Sequence, residues 1–114
     1  MSAFIIRGGN RLCGDIQPQG AKNEALQVLC AVLLTDQQVI VNNLPRILDV
    51  DNLIEMLQRL GVEVKELADG SVSFKAANID AGFAFSEDFV RMSASLRGSV
   101  MLLAPLLVRL GRAV

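Results

Sequence analysis

Asp49-Val50-Asp51-Asn52-Leu53-Ile54-Glu55-Met56-Leu57-Gln58-Arg59-Leu60, followed by Gly61 and then Val62-Glu63-Val64-Lys65, is the stretch on which the fold turns. Val50, Leu53, Ile54, Leu57 and Leu60 recur at the spacing of a helix with one apolar face, and Gly61 is placed to close its last turn. The period then switches to two. Val62-Glu63-Val64-Lys65 and Ser71-Val72-Ser73-Phe74-Lys75 alternate on either side of Asp69-Gly70, the pattern of two strands joined by a tight turn. A helix that feeds such a hairpin predicts a mixed α/β unit.

Toward the N-terminus, Gln38 to Leu44 holds the β-branched run Val39-Ile40-Val41 and reads as a strand stopped by Asn42-Asn43 and Pro45. Lys22 to Leu34 reads as a helix. Its apolar residues (Leu26, Val28, Leu29, Ala31, Val32, Leu33, Leu34) cover nearly the whole circumference, which predicts burial on all sides. Phe4-Ile5-Ile6-Arg7, Gly8-Gly9-Asn10 and Leu12-Cys13-Gly14-Asp15-Ile16 read as an N-terminal β-hairpin, ended by Pro18 and Gly20. Toward the C-terminus a mainly helical segment runs from Ser86 to about Leu110, with Gly98 and Pro105 expected to bend or break it. The expected order is hairpin, helix, strand, helix, strand, strand, helix, with no linker, repeat or low-complexity segment.

Size and composition narrow the function. The 114 residues suffice for one small domain, and 52% hydrophobic content with 20% charged residues predicts an ordered core. A formal net charge of -1 gives no electrostatic reason to expect nucleic acid or an anionic membrane as partner. Tryptophan and tyrosine are absent, which leaves few platforms for base stacking. Histidine is absent too, so Ser-His and Cys-His nucleophile pairs and the common zinc ligand sets cannot be built within this chain. Cys13 and Cys30 lack metal-site spacing, and Cys30, in an apolar run, reads as a buried small hydrophobe. The first residues lack a signal-peptide pattern, and the apolar run Val100 to Val108 is well short of the ~20 residues that span a bilayer. These features predict a soluble, reducing, cytoplasmic setting.

Gln19-Gly20-Ala21-Lys22-Asn23 is the first candidate for chemistry. The glycine permits a tight turn, and the following helix offers unpaired N–H groups whose dipole favours an anion. A lysine at that point is mildly disfavoured by the dipole alone, by a few tenths of a kcal/mol, so Lys22 suggests a compensating ligand anion. The competing reading is a solvated lysine in an ordinary loop, with Asn23 as a helix cap. Asp49 is placed to cap the second helix and Asp51 falls in its first turn, so local structure can account for both.

Three stretches belong together: Gly20-Ala21-Lys22-Asn23 before an alanine- and leucine-rich helix; Asn43-Leu44-Pro45 with Asp49-Val50-Asp51; and Leu96-Arg97-Gly98-Ser99 through Ala104-Pro105-Leu106 to Arg109-Leu110-Gly111. Taken together, these stretches resemble the enolpyruvyl transferases that act on UDP-N-acetylglucosamine. They fall in order over nearly the whole chain. The resemblance implies one βαβαββ unit of an inside-out α/β barrel. Residues 1–21 would be an N-terminal hairpin and loop belonging to the second lobe, and residues 22–114 the first, incomplete folding unit of the first lobe.

The resemblance also implies roles. Lys22 and Asn23 would contact phosphoenolpyruvate, and Arg97, on the later helix, would contact UDP-N-acetylglucosamine, with Arg91 as its rival for that position. Asp49 would orient Lys22 from the next loop. Phosphoenolpyruvate carries a carboxylate and a phosphate, which accounts for fixed cations, and guanidinium suits a planar anion contact. No metal or organic cofactor is implied. The family's general acid, usually a cysteine on a mobile loop, would lie beyond Val114 and matches neither Cys13 nor Cys30, so no catalytic residue is expected here and the chain alone is expected to be inactive. Glu24 and Gln27 stand where the family more often has small or apolar residues, and Glu24 would weaken anion binding unless it points outward. The other partners implied are the remainder of a longer chain and, through exposed apolar surface, a second copy. The alternatives are a shikimate 3-phosphate enolpyruvyl transferase, which would be expected to carry serine and arginine after the lysine, and a non-catalytic interaction module.

Overall fold

The computed structural model describes residues 2–113, and from Lys22 onward these build a small helix-on-sheet unit. In chain order the elements are α1 (Lys22–Ala31), β1 (Gln38–Val41), α2 (Leu48–Arg59), β2 (Glu63–Glu66), β3 (Val72–Lys75), α3 (Ala81–Ala84), α4 (Glu87–Ser95) and α5 (Leu103–Leu110), with 3-10 turns at Val32–Leu34 and Ser99–Leu102.

The sheet has three strands in the order β1-β3-β2, both pairings antiparallel. β3 therefore lies between two strands joined through α2. Its register sets Phe74 between Val39 and Val64, and Val72 between Val41 and Glu66. Phe74 and Val72 are buried under the helices, whereas the opposite face carries the row Gln38, Lys75 and Glu63. α2 has the amphipathic face its sequence predicts: Val50, Leu53 and Leu57 are fully enclosed. Gly61 follows with φ 99°, and a side chain there would also meet the Asn78 carbonyl, so conformation and space both favour glycine.

Three expectations are corrected and one element is added. The N-terminal hairpin does not form: residues 2–20 carry no strand, and Phe4, Ile5, Ile6, Leu12 and Ile16 are 87–93% exposed. A two-stranded ribbon with no surface to pack on is at best marginally stable, whatever its local pattern. α1 is not buried all round. Ala25, Leu26, Leu29 and Cys30 face the core, packed mainly on α2, the second 3-10 turn and α5, but Val28, Ala31 and Leu34 are exposed. The C-terminal helical segment breaks at Gly98, which takes the left-handed φ of 87°, and not at Pro105. Pro105 falls in the first turn of α5, where its missing N–H costs no helical hydrogen bond. α3 was not foreseen. It is a single turn capped by Asp80, whose carboxylate accepts from the Phe83 amide at 3.1 Å.

Cys30 is enclosed as expected, and burial pushes its thiol up to about 11. Cys13 is exposed. At pH 8 a thiol-specific disulfide reagent should modify one cysteine in the folded chain and both after denaturation. Two fast-reacting thiols in the native chain would mean that the core around Cys30 opens readily.

Candidate functional site

The sequence candidates converge where two helices begin. α1 starts at Lys22 after Ala21, and α2 starts at Leu48 after Ile47. Neither preceding residue caps its helix with a side chain. Both N-termini thus keep unpaired N–H groups and the positive end of a helix dipole. The two ends are tied together by an ion pair, with Lys22 Nζ 2.6 Å from Asp49 Oδ2. About a third of Asp49 and two-fifths of Lys22 stay exposed, at side-chain values of 33% and 40%, so a solute can reach the pair. Asp49 does not cap α2 as local reading suggested, and Asn23 does not cap α1. Each lies two residues past the N-cap position of its helix.

The loop arrangement that permits this is fixed by contact between backbones. Gly20 lies against the β1–α2 loop so closely that a methyl group on it would overlap the Asn43 carbonyl oxygen and sit 2.9 Å from Pro45 Cδ. Asn43 itself takes a left-handed φ of 53°, which asparagine tolerates better than most residues. Beside this contact runs a groove of about 210 Å³, whose wall includes Glu24, Val28, Asn42 and Asn43. Glu24 lines that groove and is exposed, and Lys22 is not among the groove's lining residues.

Asn23 is exposed and makes no side-chain hydrogen bond among the described residues. Arg97 is not on a helix as the resemblance implied. It occupies the turn between α4 and the 3-10 turn at Ser99, exposed and without an ion-pair partner among the described residues. That turn approaches α1: a Cβ built on Gly98 would lie 3.6 Å from Leu26 Cδ1, one helical turn beyond Lys22. Arg91, the rival, stays on α4 with Asp88 at 3.2 Å. Asp51 is engaged elsewhere. Its Oδ1 accepts from Arg46 Nε at 2.7 Å, and Arg46 also reaches Glu66. These two hydrogen bonds hold the Arg46 guanidinium more firmly protonated than usual.

Sequence reasoning missed one anchor. Arg109 Nη1 donates to the carbonyls of Leu33 at 2.8 Å and Thr35 at 3.2 Å, while Nη2 donates to those of Ala76 at 2.8 Å and Ala77 at 3.2 Å. It ties the end of the first helical segment to the exit of β3. Nothing in its local sequence marks it for this, because its partners come from two distant segments.

The arrangement is a solvent-accessible lysine, paired with an aspartate where two helices begin, and an exposed arginine on the turn that packs against Leu26 of α1. The sequence model of the EPSP synthase (3-phosphoshikimate 1-carboxyvinyltransferase) family matches residues 6–114. The chain is 53% identical over its whole length to a UDP-N-acetylglucosamine 1-carboxyvinyltransferase of Bacteroides fragilis, 51% to one of Bacteroides thetaiotaomicron and 50% to one of Porphyromonas gingivalis. It spans 26% of the length of each of these relatives. Mixed α/β architecture, an ordered run of shared motifs and a match over nearly the full chain agree, and the chain belongs to the EPSP synthase family.

Proposed function

We propose that this chain is the N-terminal part of an enzyme that transfers the enolpyruvyl group of phosphoenolpyruvate to the 3-hydroxyl of UDP-N-acetylglucosamine, the first committed step of peptidoglycan synthesis in the cytoplasm. The observation that carries the reading is Lys22, held at 2.6 Å by Asp49 where the uncapped starts of α1 and α2 meet. Lys22 binds phosphoenolpyruvate and offsets charge as the substrate hydroxyl adds to it. Phosphate then leaves from the tetrahedral intermediate. Asn23 shares the phosphoenolpyruvate contact, Arg97 engages the sugar nucleotide, and Asp49 orients the Lys22 ammonium. Residues 1–21 belong with a second lobe and residues 22–114 form the first unit of the first lobe, so catalysis needs the rest of a longer chain. The exposed apolar residues near the N-terminus and on α5 favour self-association of this chain by itself. Transfer to shikimate 3-phosphate is the second reading, favoured by the description of the matching family. Asn23-Glu24-Ala25-Leu26 after the lysine, and the names of the most similar relatives, favour the sugar nucleotide.

Calorimetric titration of phosphoenolpyruvate and UDP-N-acetylglucosamine, separately and together, tests this on the chain and on Lys22→Ala. Lys22→Ala should abolish phosphoenolpyruvate binding. Asp49→Ala should weaken it about threefold to tenfold, the range expected when a solvent-accessible charged contact is lost. Unchanged affinity in Lys22→Ala would end the assignment of the site, and unchanged affinity in Asp49→Ala would end the orienting role.

A further inference from the structure

The turn that carries Arg97 is closed by a side chain that no part of the reading above uses. α4 ends at Ser95, which leaves its last carbonyls without helical partners. The carbonyl of Ser93 accepts from Ser99 Oγ at 2.7 Å and from the Leu96 amide at 3.3 Å. The Ser99 amide donates back to the Leu96 carbonyl at 3.3 Å, and the Met101 amide to the Gly98 carbonyl at 3.0 Å. The chain thus reverses within Leu96–Ser99. Buried Leu96 anchors one side and Leu102 the other, and Gly98 rests on Leu26 of α1. Arg97 stands at the tip, its guanidinium exposed.

The Ser99 hydroxyl is the one side-chain hydrogen bond that spans this reversal among the described residues. The amide bonds on either side are long at 3.3 Å, so the short hydroxyl bond holds the turn shut. A cation fixed in place before its ligand arrives loses less conformational freedom on binding than one on a mobile loop. We propose that Ser99 is a positioning residue that locks the Leu96–Ser99 turn, which packs against Leu26 of α1, and thereby presents Arg97 to an anionic sugar nucleotide. This rests on the reading of Arg97 as a sugar-nucleotide contact.

The test uses the full-length protein that carries this chain, unaltered and as Ser99→Ala, Ser99→Thr and Arg97→Ala. Amide hydrogen exchange reads the turn, and calorimetry with UDP-N-acetylglucosamine and with phosphoenolpyruvate reads the ligands. Ser99→Ala should speed exchange at the Leu96 and Ser99 amides, leave α1 and the sheet unchanged, and weaken UDP-N-acetylglucosamine binding about threefold to tenfold, the loss expected for one hydrogen bond. Phosphoenolpyruvate affinity should hold, and Ser99→Thr, which keeps the hydroxyl, should restore both readouts. Unaltered exchange in Ser99→Ala, or an equal loss for both ligands, would overturn the proposal. If Arg97→Ala binds the sugar nucleotide as well as the unaltered protein does while Ser99→Ala still frees the turn, the assignment of Arg97 fails and the structural lock stands.

Discussion

Replacing Arg109 by alanine lowers the melting temperature of the chain by roughly 15 °C, the shift expected when a domain of this size loses about 3 kcal/mol. The figure follows from what the guanidinium holds. It supplies donors to four carbonyls, two at 2.8 Å and two at 3.2 Å, from segments that no other side chain joins in this way among the described residues. A charged donor to a carbonyl contributes about 1.5–3 kcal/mol, and a buried acceptor left without a partner costs more than the bond itself returns. Leu33 and Ala76 are enclosed, so water cannot readily replace the donor there, whereas exposed Ala77 can be hydrated. The cation also sits at the carbonyl end of the first helical segment, where the dipole favours it. Arg109→Lys should recover less than half of the loss, because an ammonium cannot hold the fork of four acceptors in one plane. A fall of less than about 5 °C in Arg109→Ala would mean that solvent already satisfies these carbonyls, and the arginine would then be peripheral to stability.

What the sequence made legible, and what it did not, divides along the range of the forces involved. α2 was readable because it buries one face, and a one-sided burial writes its period into residues such as Val50, Leu53 and Leu57. β2 and β3 were readable from their apolar–polar alternation about Asp69-Gly70, although Ser73 on the second face of β3 is buried as well. The pattern at Phe4–Ile16 was locally as persuasive, yet a ribbon needs a third strand or a helix to cover it, and the described residues supply none. The apolar circumference of α1 was real, but circumference says only that a surface is apolar and not that this chain carries the partner for it. Lys22 was identifiable from its glycine and its place at a helix start. Its pairing with Asp49 was foreseen only through the resemblance, because the ion pair forms across two helix starts that local patterning cannot bring together. Arg109 and Ser99 stand in a stretch that carries the resemblance, yet their hydrogen bonds left no signal. Their partners are backbone carbonyls, and every residue carries one.

Gly20→Ala should disable the site and destabilise the chain together, and the reason is space. Gly20 does not have a positive φ, so alanine is conformationally acceptable there. The obstacle is the β1–α2 loop, since a methyl group would overlap the Asn43 carbonyl oxygen, lie 3.2 Å from the Asn43 carbonyl carbon and press on Pro45. Those atoms are backbone and a proline ring, which cannot rotate out of the way as a long side chain could. Either the segment before α1 or the β1–α2 loop must move. Overpacking of this kind costs about 1–3 kcal/mol. The loop runs on into α2, so its movement carries Asp49 away from Lys22 and separates the two helix starts on which anion binding depends. Binding of phosphoenolpyruvate should therefore fall by more than the tenfold expected of Asp49→Ala, even at temperatures where the chain remains folded. Ala21→Gly, one residue later, adds no atom to the contact, is the control and should bind normally. If Gly20→Ala melted several degrees lower but bound phosphoenolpyruvate unchanged, the contact would serve stability alone and the ion pair would be positioned from elsewhere. If it neither melted lower nor lost binding, the loop would have room that its packing against Gly20 does not suggest.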